Sequence, residues 1–295
     1  MSEDLGVIVV TGASSGLGKQ TALDLAGRGF VVYAGVRTED SAERLWAEAG
    51  TRRLRPVMLD VTSDLSIANA HKLISGELGP SGLHGLVNNA GICVSAPLEC
   101  VSSDRLREEL EVNVIGTLAV SRQFLPLLRT RAAGTPGFAG RIVNVSSGVG
   151  KVATPYLGAY AAAQFGKEGL SGALRRELAP LGVAVSIVAP GAIATPIWDK
   201  MTDTADRIMN DTPAEIAELY SRRFRGFIDQ NTARAAASRT RPEQVAAAVA
   251  HAMTARRPHT RYRVGLDSVM VEAASRLLPD RVLDFALARG LSVAD

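Results

Sequence analysis

Residues 6–37 read GVIVVTGASSGLGKQTALDLAGRGFVVYAGVR and decide the fold. Two short, continuous apolar runs, 6–11 and 30–36, enclose a glycine-rich loop and a segment at 16–29 whose apolar residues recur at helical spacing. A continuous apolar run closed by glycine is typical of a strand that is buried on both faces. The stretch therefore predicts a strand, a loop, a helix and a second strand, in that order.

The loop between the first strand and the helix carries the first chemical signal. Its glycines are spaced G-x-x-x-G-x-G, and backbone N–H groups together with the positive end of a helix dipole can hold a pyrophosphate at such a place. The expected cofactor-binding residues here are Gly12, Ser14, Ser15, Gly16, Leu17 and Gly18. The alternative is a turn whose glycines serve packing alone. The strand before the loop and the helix after it favour a dinucleotide site.

The end of the second strand favours one dinucleotide over the other. An acidic residue at this point accepts hydrogen bonds from the ribose hydroxyls in NAD sites, whereas an arginine suits the 2′-phosphate of NADP. The strand ends in Gly35, Val36 and Arg37, with no acid before the arginine. We therefore expect NADP(H) in preference to NAD(H), with Arg37 at the phosphate. A solvated Arg37 stays open as the alternative, because the glycine loop carries Ser14 and Ser15 and no second base.

The alternation of apolar runs and helical segments continues along the chain. Further segments are strands at 54–59, 83–87, 141–145 and 183–188, and helices after 64, near 103–129 and at 160–181. Because helices separate the continuous apolar strands, the pattern predicts an α/β fold with a doubly wound parallel sheet, covered on both faces, in one Rossmann-type domain of residues 1–295. We place the cofactor-binding and catalytic core at 5–196.

The pattern changes after residue 196. Residues 197–240 mix large apolar and charged side chains without a strand signal, and they predict a mobile helical lid over the substrate. The C-terminal part, 241–295, predicts a helix that Pro242 begins and a last strand near 262–266. One or two amphipathic helices, interrupted at Pro279, follow.

Composition excludes several other classes of protein. The chain has 295 residues and a net charge of +3, without the basic, aromatic-interleaved stripe that nucleic-acid binding favours. No apolar run reaches the ~18 residues of a membrane span, and Glu3 and Asp4 occupy positions where a secretory signal carries positive charge. The two cysteines and four histidines lack metal-ligand spacing. We therefore expect no metal, reduced thiols and a cytoplasmic location.

A pair of hydroxyl groups marks the candidate chemical site within RIVNVSSGVGKVATPYLGAYAAAQFGKEG, residues 141–169. Ser147 follows a predicted strand, and Tyr160 begins the next predicted helix. A cation one helical turn after the tyrosine would complete a proton-transfer site, but that position is Gln164.

Together these motifs resemble the short-chain dehydrogenase/reductase family. The matching residues agree with the family in order and spacing over about 5–196, namely TGASSGLG at 11–18, Asp60-Val61, NNAG at 88–91, Asn113 in VNVIGT, Ser146-Ser147, Tyr160 and PGAIAT at 190–195. Looser similarities, such as VYAGVR and LRRELAPLGV, resemble the branch that contains retinol and hydroxysteroid dehydrogenases.

The resemblance implies a role for each matching residue. Tyr160 would be the general acid/base, Ser147 would orient the substrate carbonyl, and Asn113 would support a proton-relay water. Gln164 occupies the place of the family's lysine. For the cofactor, the resemblance implies that Asp60 and Val61 contact the adenine. It places Asn89, Ala90 and Gly91, with Tyr160 and Gln164, near the ribose. Around the carboxamide it places Pro190, Gly191, Ile193 and Thr195. The plainer alternatives are that Asn113 hydrogen-bonds across the core and that Asp60 ends a strand.

The glutamine changes the expected chemistry. A tyrosine, with an ordinary pKa of ~10, must have its phenolate stabilised to act as a base near neutrality, and one positive charge about 4 Å away contributes roughly 4 kcal/mol at an effective dielectric of ~20. Gln164 can hydrogen-bond a ribose hydroxyl but supplies no charge. Lys167 and Lys151 are candidates for the missing cation, and for both we expect a solvated surface position.

Two classes of function follow. The leading hypothesis is an NADP(H)-dependent oxidoreductase acting on a fairly large apolar carbonyl or alcohol, attenuated by Gln164. The alternative is a non-redox protein of the same fold, either an isomerase, cyclase or lyase that uses Ser147 and Tyr160 or a cofactor-binding regulatory protein.

Large lid residues suit a polycyclic or long-chain substrate, with core packing as the favoured alternative: Trp198, Met201, Met209, Phe224 and Phe227. By resemblance, the two long helices predict a homodimer or homotetramer.

Overall fold

A parallel sheet of seven strands forms the centre of the computed structural model, which describes residues 5–132 and 139–291. The strands are β1 (Val7–Val10), β2 (Val31–Val36), β3 (Leu54–Met58), β4 (Gly85–Asn88), β5 (Gly140–Val145), β6 (Val183–Pro190) and β7 (Arg261–Val264). Their order across the sheet is β3-β2-β1-β4-β5-β6-β7, and every pair is parallel. The predicted doubly wound sheet is thereby confirmed. Three parts of the predicted domain lie outside the described residues: 1–4 with Glu3 and Asp4, 133–138, and 292–295.

Helices cover both faces of this sheet. They are α1 (Gly16–Gly27), α2 (Glu39–Ala49), α3 (Asp64–Leu78), α4 (Ser103–Leu110), α5 (Gly116–Ala132), α6 (Gly158–Leu178), α7 (Ile197–Asp211), α8 (Ala214–Ala236), α9 (Pro242–Thr254), α10 (Leu266–Leu277) and α11 (Asp280–Leu291). Within the described part of the chain, no helix combines the length and the apolar character that crossing a bilayer requires.

Burial on both faces explains why the strands are continuous apolar runs. Successive side chains of a strand point to opposite faces. In β1, Ile8 and Val10 belong to the core cluster shared with α1 and α9, whereas Val9 belongs to the cluster shared with α3 and α5. All three side chains are fully buried. Burying such a side chain contributes roughly 1.5–3 kcal/mol, so a polar residue on either face would be unfavourable.

The position of β1 in the sheet determines where a ligand can enter. The chain passes from β1 to β2 and β3 on one side, and then crosses to β4 on the other side. The loops that leave the carboxyl ends of β1 and β4 therefore run in opposite directions and leave a crevice between them.

Two helical regions differ from the sequence prediction. The helix expected without a break near 103–129 consists of α4, a π-helical turn at Glu111–Ile115, and α5. Helix α2, between β2 and β3, is also absent from the prediction, although Ala42, Leu45, Trp46 and Ala49 recur there at helical spacing. Local signals do mark its ends, since the hydroxyl of Thr38 accepts from the N–H of Ser41 at 3.3 Å and Gly50 is left-handed.

Candidate active site

The glycine-rich loop lies at the carboxyl end of β1, against the loop that follows β4. Gly12 has a φ of +64°, and a Cβ at this position would lie 2.8 Å from the Cα of Ala90. A Cβ on Gly18 would overlap the carbonyl oxygen of Gly12 and the side-chain amide of Asn89. Because glycine alone fits at these two positions, the loop can turn tightly and present backbone N–H groups at the start of α1.

Hydrogen bonds fix these two loops to each other. The Oγ1 of Thr11 accepts from the backbone N–H groups of Asn89 and Ala90, at 3.0 Å each. The Nδ2 of Asn89 donates to the carbonyl oxygens of Thr11 and Gly12, at 3.1 Å each. The crevice therefore has a floor whose backbone is held in place before any ligand binds.

The crevice forms a first cavity of about 1160 Å³, counted out to its open mouth. Most of the predicted cofactor-binding residues line it, namely Gly12, Ser14, Ser15, Gly16, Leu17, Gly18, Arg37, Asp60, Val61, Asn89, Ala90, Gly91, Tyr160, Gln164 and Thr195. The structure places three others, Pro190, Gly191 and Ile193, around a second cavity.

Arg37 and Asp60 lie on the sheet side of the first cavity. Arg37 is exposed at the end of β2, and no described residue forms an ion pair with it. Its guanidinium is therefore open to an anion. Asp60 accepts through Oδ1 from the N–H and the hydroxyl of Thr62, at 2.9 and 2.8 Å. It closes a turn after β3, as the plainer alternative expects, and it borders the cavity as well.

Ser147 and Tyr160 meet where the two cavities adjoin. Ser147 follows β5 and begins a short 3-10 turn, while Tyr160 lies in the first turn of α6 and lines both cavities. Burial is the main cause that raises the pKa of Tyr160, and Cys93 and Glu109 raise it further, while the hydrogen bond with Ser147 opposes them. The phenol is therefore held in its protonated form at neutral pH.

Gln164 lies one helical turn after Tyr160 in α6. Its side chain is 3% exposed, and its Oε1 has no hydrogen-bond partner among the described residues. A buried acceptor without a donor costs about 1–3 kcal/mol. A hydroxyl group in the first cavity that donated to this oxygen would remove that cost, so the position fits a ribose hydroxyl.

Asn113 lies in the π-helical turn and is fully buried. Its Oδ1 accepts from the N–H of Ile92 at 3.0 Å, and its Nδ2 donates to the carbonyl oxygen of Ile92 at 2.9 Å and to Glu109. These bonds occupy both amide protons and hold the segment after β4 against α4. The plainer alternative, a hydrogen bond across the core, describes this arrangement, and a part for Asn113 in a proton relay stays a prediction.

Lys167 is buried, so the expectation of a solvated surface lysine is wrong for this residue. Its side chain is 1% exposed, its Nζ donates to the carbonyl oxygen of Val145 at 3.2 Å, and it lines the first cavity. Burial lowers the pKa of Lys167 to about 8, an effect that the carboxyl group of Glu109 opposes. Lys151, in contrast, is partly exposed and lies 3.6 Å from Glu168.

Sequence reasoning missed Glu109 altogether. This residue is fully buried in α4, where its Oε2 accepts from the N–H of Val94 at 2.6 Å and its Oε1 accepts from Asn113. Burial raises the pKa of Glu109 to about 8, while the Val94 hydrogen bond, Lys167 and Asn113 oppose that rise. One signal existed, because Glu109 precedes Asn113 by four residues and so shares its helical face.

The second cavity, of about 1050 Å³, lies on the other side of Tyr160 and is bordered by the first turn of α7 and by α8. Of the five lid residues expected to form its apolar wall, Trp198 and Met201 line it. Met209, Phe224 and Phe227 instead pack in the apolar cluster of the lid, where both phenylalanines contact the ring of Tyr156 with centroids 5.3 Å apart. The favoured alternative of core packing therefore describes these three.

Comparisons with known proteins agree with this geometry. The family model described as short chain dehydrogenase matches residues 6–206. The chain is 39% identical to a 3-amino-tetrahydro-pyrrolizinone reductase of Xenorhabdus hominickii, and the match covers 94% of this chain and 93% of the relative. It is 38% identical to a bovine 17-beta-hydroxysteroid dehydrogenase type 6, and that match covers 96% of this chain and 87% of the relative. A crystal structure of a short chain dehydrogenase from Burkholderia cenocepacia in complex with NADP is 26% identical, with a TM-score of 0.69 over 96% of this chain and 98% of that one.

Proposed function

The chain belongs to the short-chain dehydrogenase family, and from that membership we propose that it is an NADP(H)-dependent oxidoreductase that interconverts carbonyl compounds and alcohols. The observation that carries this proposal is the position of Tyr160. Its side chain lines both cavities, and Ser147, whose hydroxyl lowers the pKa of Tyr160 against the effect of burial, lines the second. A nucleotide in the first cavity and a substrate in the second would therefore meet at one proton donor.

The residues of the first cavity fit a nicotinamide dinucleotide. The glycine cradle suits a pyrophosphate, and the unpartnered Oε1 of Gln164 suits a hydroxyl of the nicotinamide ribose. When bound, the cofactor supplies or accepts a hydride. We assign Asp60 and Val61 to the adenine, Asn89, Ala90 and Gly91 to the neighbouring ribose, and Ile193 and Thr195, with Pro190 and Gly191 in the same loop, to the carboxamide.

The preference for NADP(H) over NAD(H) rests on Arg37. Its guanidinium is exposed beside the first cavity, and β2 ends without a carboxylate that would accept the ribose hydroxyls. A planar guanidinium forms paired hydrogen bonds with a phosphate, so Arg37 suits the 2′-phosphate.

In the reductive direction, this chain would supply the proton that the substrate carbonyl oxygen accepts. Ser147 would donate a hydrogen bond to the carbonyl oxygen, and the protonated phenol of Tyr160 would transfer its proton to the same oxygen. Asn113 would support this step by holding the segment after β4 and, in our proposal, a relay water. Because its pKa is raised, Tyr160 is protonated at neutral pH, so the phenol is present as a donor for ketone reduction and the phenolate is scarce as a base for alcohol oxidation.

The second cavity suits a fairly large apolar substrate. The apolar side chains of Leu157, Ile193, Trp198 and Met201 line it and would suit a ring system or a long chain. Residues 197–240, which fold as α7 and α8, would act as a lid that closes over it. Trp198 attaches the lid to the loop after β6 by donating from Nε1 to the carbonyl oxygen of Ile193, at 2.7 Å.

We further propose a homodimer or homotetramer in the cytoplasm. Exposed apolar side chains on the two long helical segments support the oligomer: Ile115 and Leu118 beside the π-helical turn, and Phe165 in α6, are each at least 40% exposed. Such side chains become buried when helices of two subunits pack together.

A non-redox function is the second candidate. Gln164 in place of a cation and the raised pKa of Tyr160 favour it, because both weaken acid-base exchange at the phenol. Titration of the purified protein with NADPH and NADH, followed by assays on a panel of ketones with wild type and Gln164→Lys, separates the two. We expect tighter binding of NADPH and a ketone reduction rate that rises at least about tenfold in Gln164→Lys. Absence of NADPH binding would reject the cofactor assignment. NADPH binding without ketone reduction by either form would leave the non-redox function.

A further inference from the structure

Lys167 is a buried cation that has no role in the proposed binding of the nucleotide or in the proposed proton transfer. It lies in α6, two helical turns after Tyr160, and its 1% exposed side chain forms part of the wall of the first cavity. Removing an ammonium group from water is costly unless protein groups or a ligand compensate for the lost hydration. A lysine at such a position therefore calls for a functional explanation.

The hydrogen bonds of Lys167 compensate for only part of that cost. An ammonium group has three N–H donors. Among the described residues, the carbonyl oxygen of Val145 is the one acceptor in contact with its Nζ, at 3.2 Å. The carboxyl group of Glu109 affects the pKa of Lys167 without forming a contact ion pair among the described residues. The remaining donors have the first cavity beside them.

The contact with Val145 brings the charge near the proton donor. Val145 ends β5, and Ser147, whose hydroxyl acts on the pKa of Tyr160, lies two residues further along the chain. At a strand rise of ~3.3 Å per residue, two residues span roughly 7 Å. Lys167 and Tyr160 also line the same first cavity, and the carboxyl group of Glu109 acts on the pKa of both.

We propose that Lys167 provides the positive charge that Gln164 lacks and stabilises the phenolate of Tyr160 that remains after proton transfer. This inference rests on the proposed function. In ketone reduction, the carbonyl carbon accepts a hydride from the reduced nicotinamide, and the carbonyl oxygen accepts the proton of Tyr160. Water then returns a proton to the phenolate. Lys167 forms and breaks no bond, so it is a positioning residue that acts through its electric field.

The charged and titratable groups around this pair come from three elements. Glu109 faces it from α4, Cys93 from the segment after β4, and Tyr160 lies on the same helix as Lys167. Glu168 follows Lys167 directly, but its carboxylate is bound by Arg261 and lies near Lys151. When Glu109 is protonated, the charge of Lys167 is uncompensated and acts on Tyr160 at full strength.

Distance sets the size of the expected effect. One charge at roughly 7 Å, the span of two residues of extended chain, would change the pKa of the phenol by roughly 1.5–2 units at an effective dielectric of ~20. Lys167→Met removes the charge and leaves an unbranched side chain that is one atom shorter. We expect it to lower kcat for ketone reduction by NADPH about 10- to 30-fold and to move the pH limb of kcat that reports Tyr160, while KM for NADPH stays within about twofold.

Three further variants separate a charge effect from a structural one. Lys167→Arg keeps a charge and should retain the wild-type pH limb, and adding Gln164→Lys to Lys167→Met should restore most of the rate. Lys151→Met removes a partly exposed lysine and should leave kcat unchanged. An unchanged rate and pH limb in Lys167→Met would overturn the proposal. So would parallel losses of kcat, NADPH affinity and thermal stability in Lys167→Met that Gln164→Lys does not reverse.

A spectroscopic measurement tests the placement of Lys167 without relying on turnover. The chain has five lysines, Lys19, Lys72, Lys151, Lys167 and Lys200, so the spectrum of the protein with 13C-labelled lysine is simple to assign with Lys167→Met. We expect NADPH to shift the ε-carbon signal of Lys167 and leave that of Lys72 unchanged. NADPH binding with an unmoved Lys167 signal would overturn the inference even if ketones are reduced. If wild type transfers no hydride, the proposed function fails and this spectrum alone decides the placement of Lys167.

Discussion

Tyr160 and the buried groups around it differ in how burial shifts their protonation. Burial raises the pKa of the phenol and burial also raises the pKa of Glu109, while Lys167 loses part of its proton affinity. The phenol and the Glu109 carboxyl group are thus held mainly uncharged at neutral pH, whereas Lys167, with a pKa of about 8, still carries its positive charge. A protonated phenol can donate to a carbonyl oxygen, as the proposed ketone reduction requires.

Glu109 and Lys167 also make the stability of the protein depend on pH. The pKa of Glu109 is raised from 4.5 to about 8. Its contribution to the free energy of unfolding is therefore fully present below about pH 4.5 and is lost as the pH rises through about 8. The pKa of Lys167 is lowered from 10.5 to about 8. Its contribution to the free energy of unfolding is therefore fully present above about pH 10.5 and is lost as the pH falls through about 8. From these two residues we expect a minimum in Tm near pH 8.

Thermal unfolding of wild type and Glu109→Gln across this range measures the contribution of Glu109. The variant cannot ionise at position 109, so its Tm should fall less steeply than that of wild type between about pH 5 and pH 8. Above pH 8 the two profiles should run parallel, because Lys167 is present in both. Equal slopes on the acid side would contradict the burial of an ionisable carboxyl at this position.

Residue spacing locates the helical face of these groups but does not show that the face is buried. Lys167 is seven residues after Tyr160, and Glu109 is four before Asn113, so each pair shares a face. The neighbours of Lys167, Gly166 and Glu168, carry no apolar signal. Its burial depends on contacts with the end of β5 and on the nearness of α4, elements that are distant in the sequence.

The glycine loop and α1 act as one element in holding the nucleotide. A Cβ on Gly18 overlaps the carbonyl oxygen of Gly12 and the side chain of Asn89, whereas a Cβ on Gly27, near the other end of the same helix, meets no atom within 4 Å. We expect Gly18→Ala to lower the affinity for NADPH at least about tenfold, because relieving the overlap displaces the loop at a cost of roughly 1–3 kcal/mol.

The matched control for this element is Gly27→Ala. It should leave NADPH affinity unchanged and raise stability by about 0.5–1 kcal/mol, because alanine is the better helix former. Fluorescence titration with NADPH and thermal unfolding measure both effects. If Gly18→Ala binds NADPH as tightly as Gly27→Ala does, the loop does not hold the nucleotide.

At the level of elements, prediction from sequence depends on whether a signal is local. The glycine loop was predictable because its spacing and the flanking strand and helix lie within residues 6–37. The π-helical turn at Glu111–Ile115 was not, because such turns occur singly inside α-helices and no helix-ending residue stands before this one. That turn lies where Asn113 reaches both backbone groups of Ile92.

At the scale of the molecule, the order of strands was implied by the alternation of strands and helices, whereas the second cavity was not. A parallel sheet with helices on both faces opens a crevice where its connections diverge, and β1 and β4 form that point here. The second cavity depends on which lid side chains turn inward. Trp198 and Met201 do so while Phe224 and Phe227 pack in the lid cluster, and apolar composition cannot distinguish these outcomes.

The two cavities meet at Tyr160, so the most direct test of the account is the rate of NADPH-dependent ketone reduction by wild type and Tyr160→Phe. The phenylalanine keeps the ring in both cavity walls and removes the proton donor. We predict that wild type converts NADPH and ketone to alcohol one for one, and that Tyr160→Phe lowers kcat at least about 100-fold while its Kd for NADPH stays within about twofold. Ketone reduction by Tyr160→Phe at the wild-type rate would contradict the account.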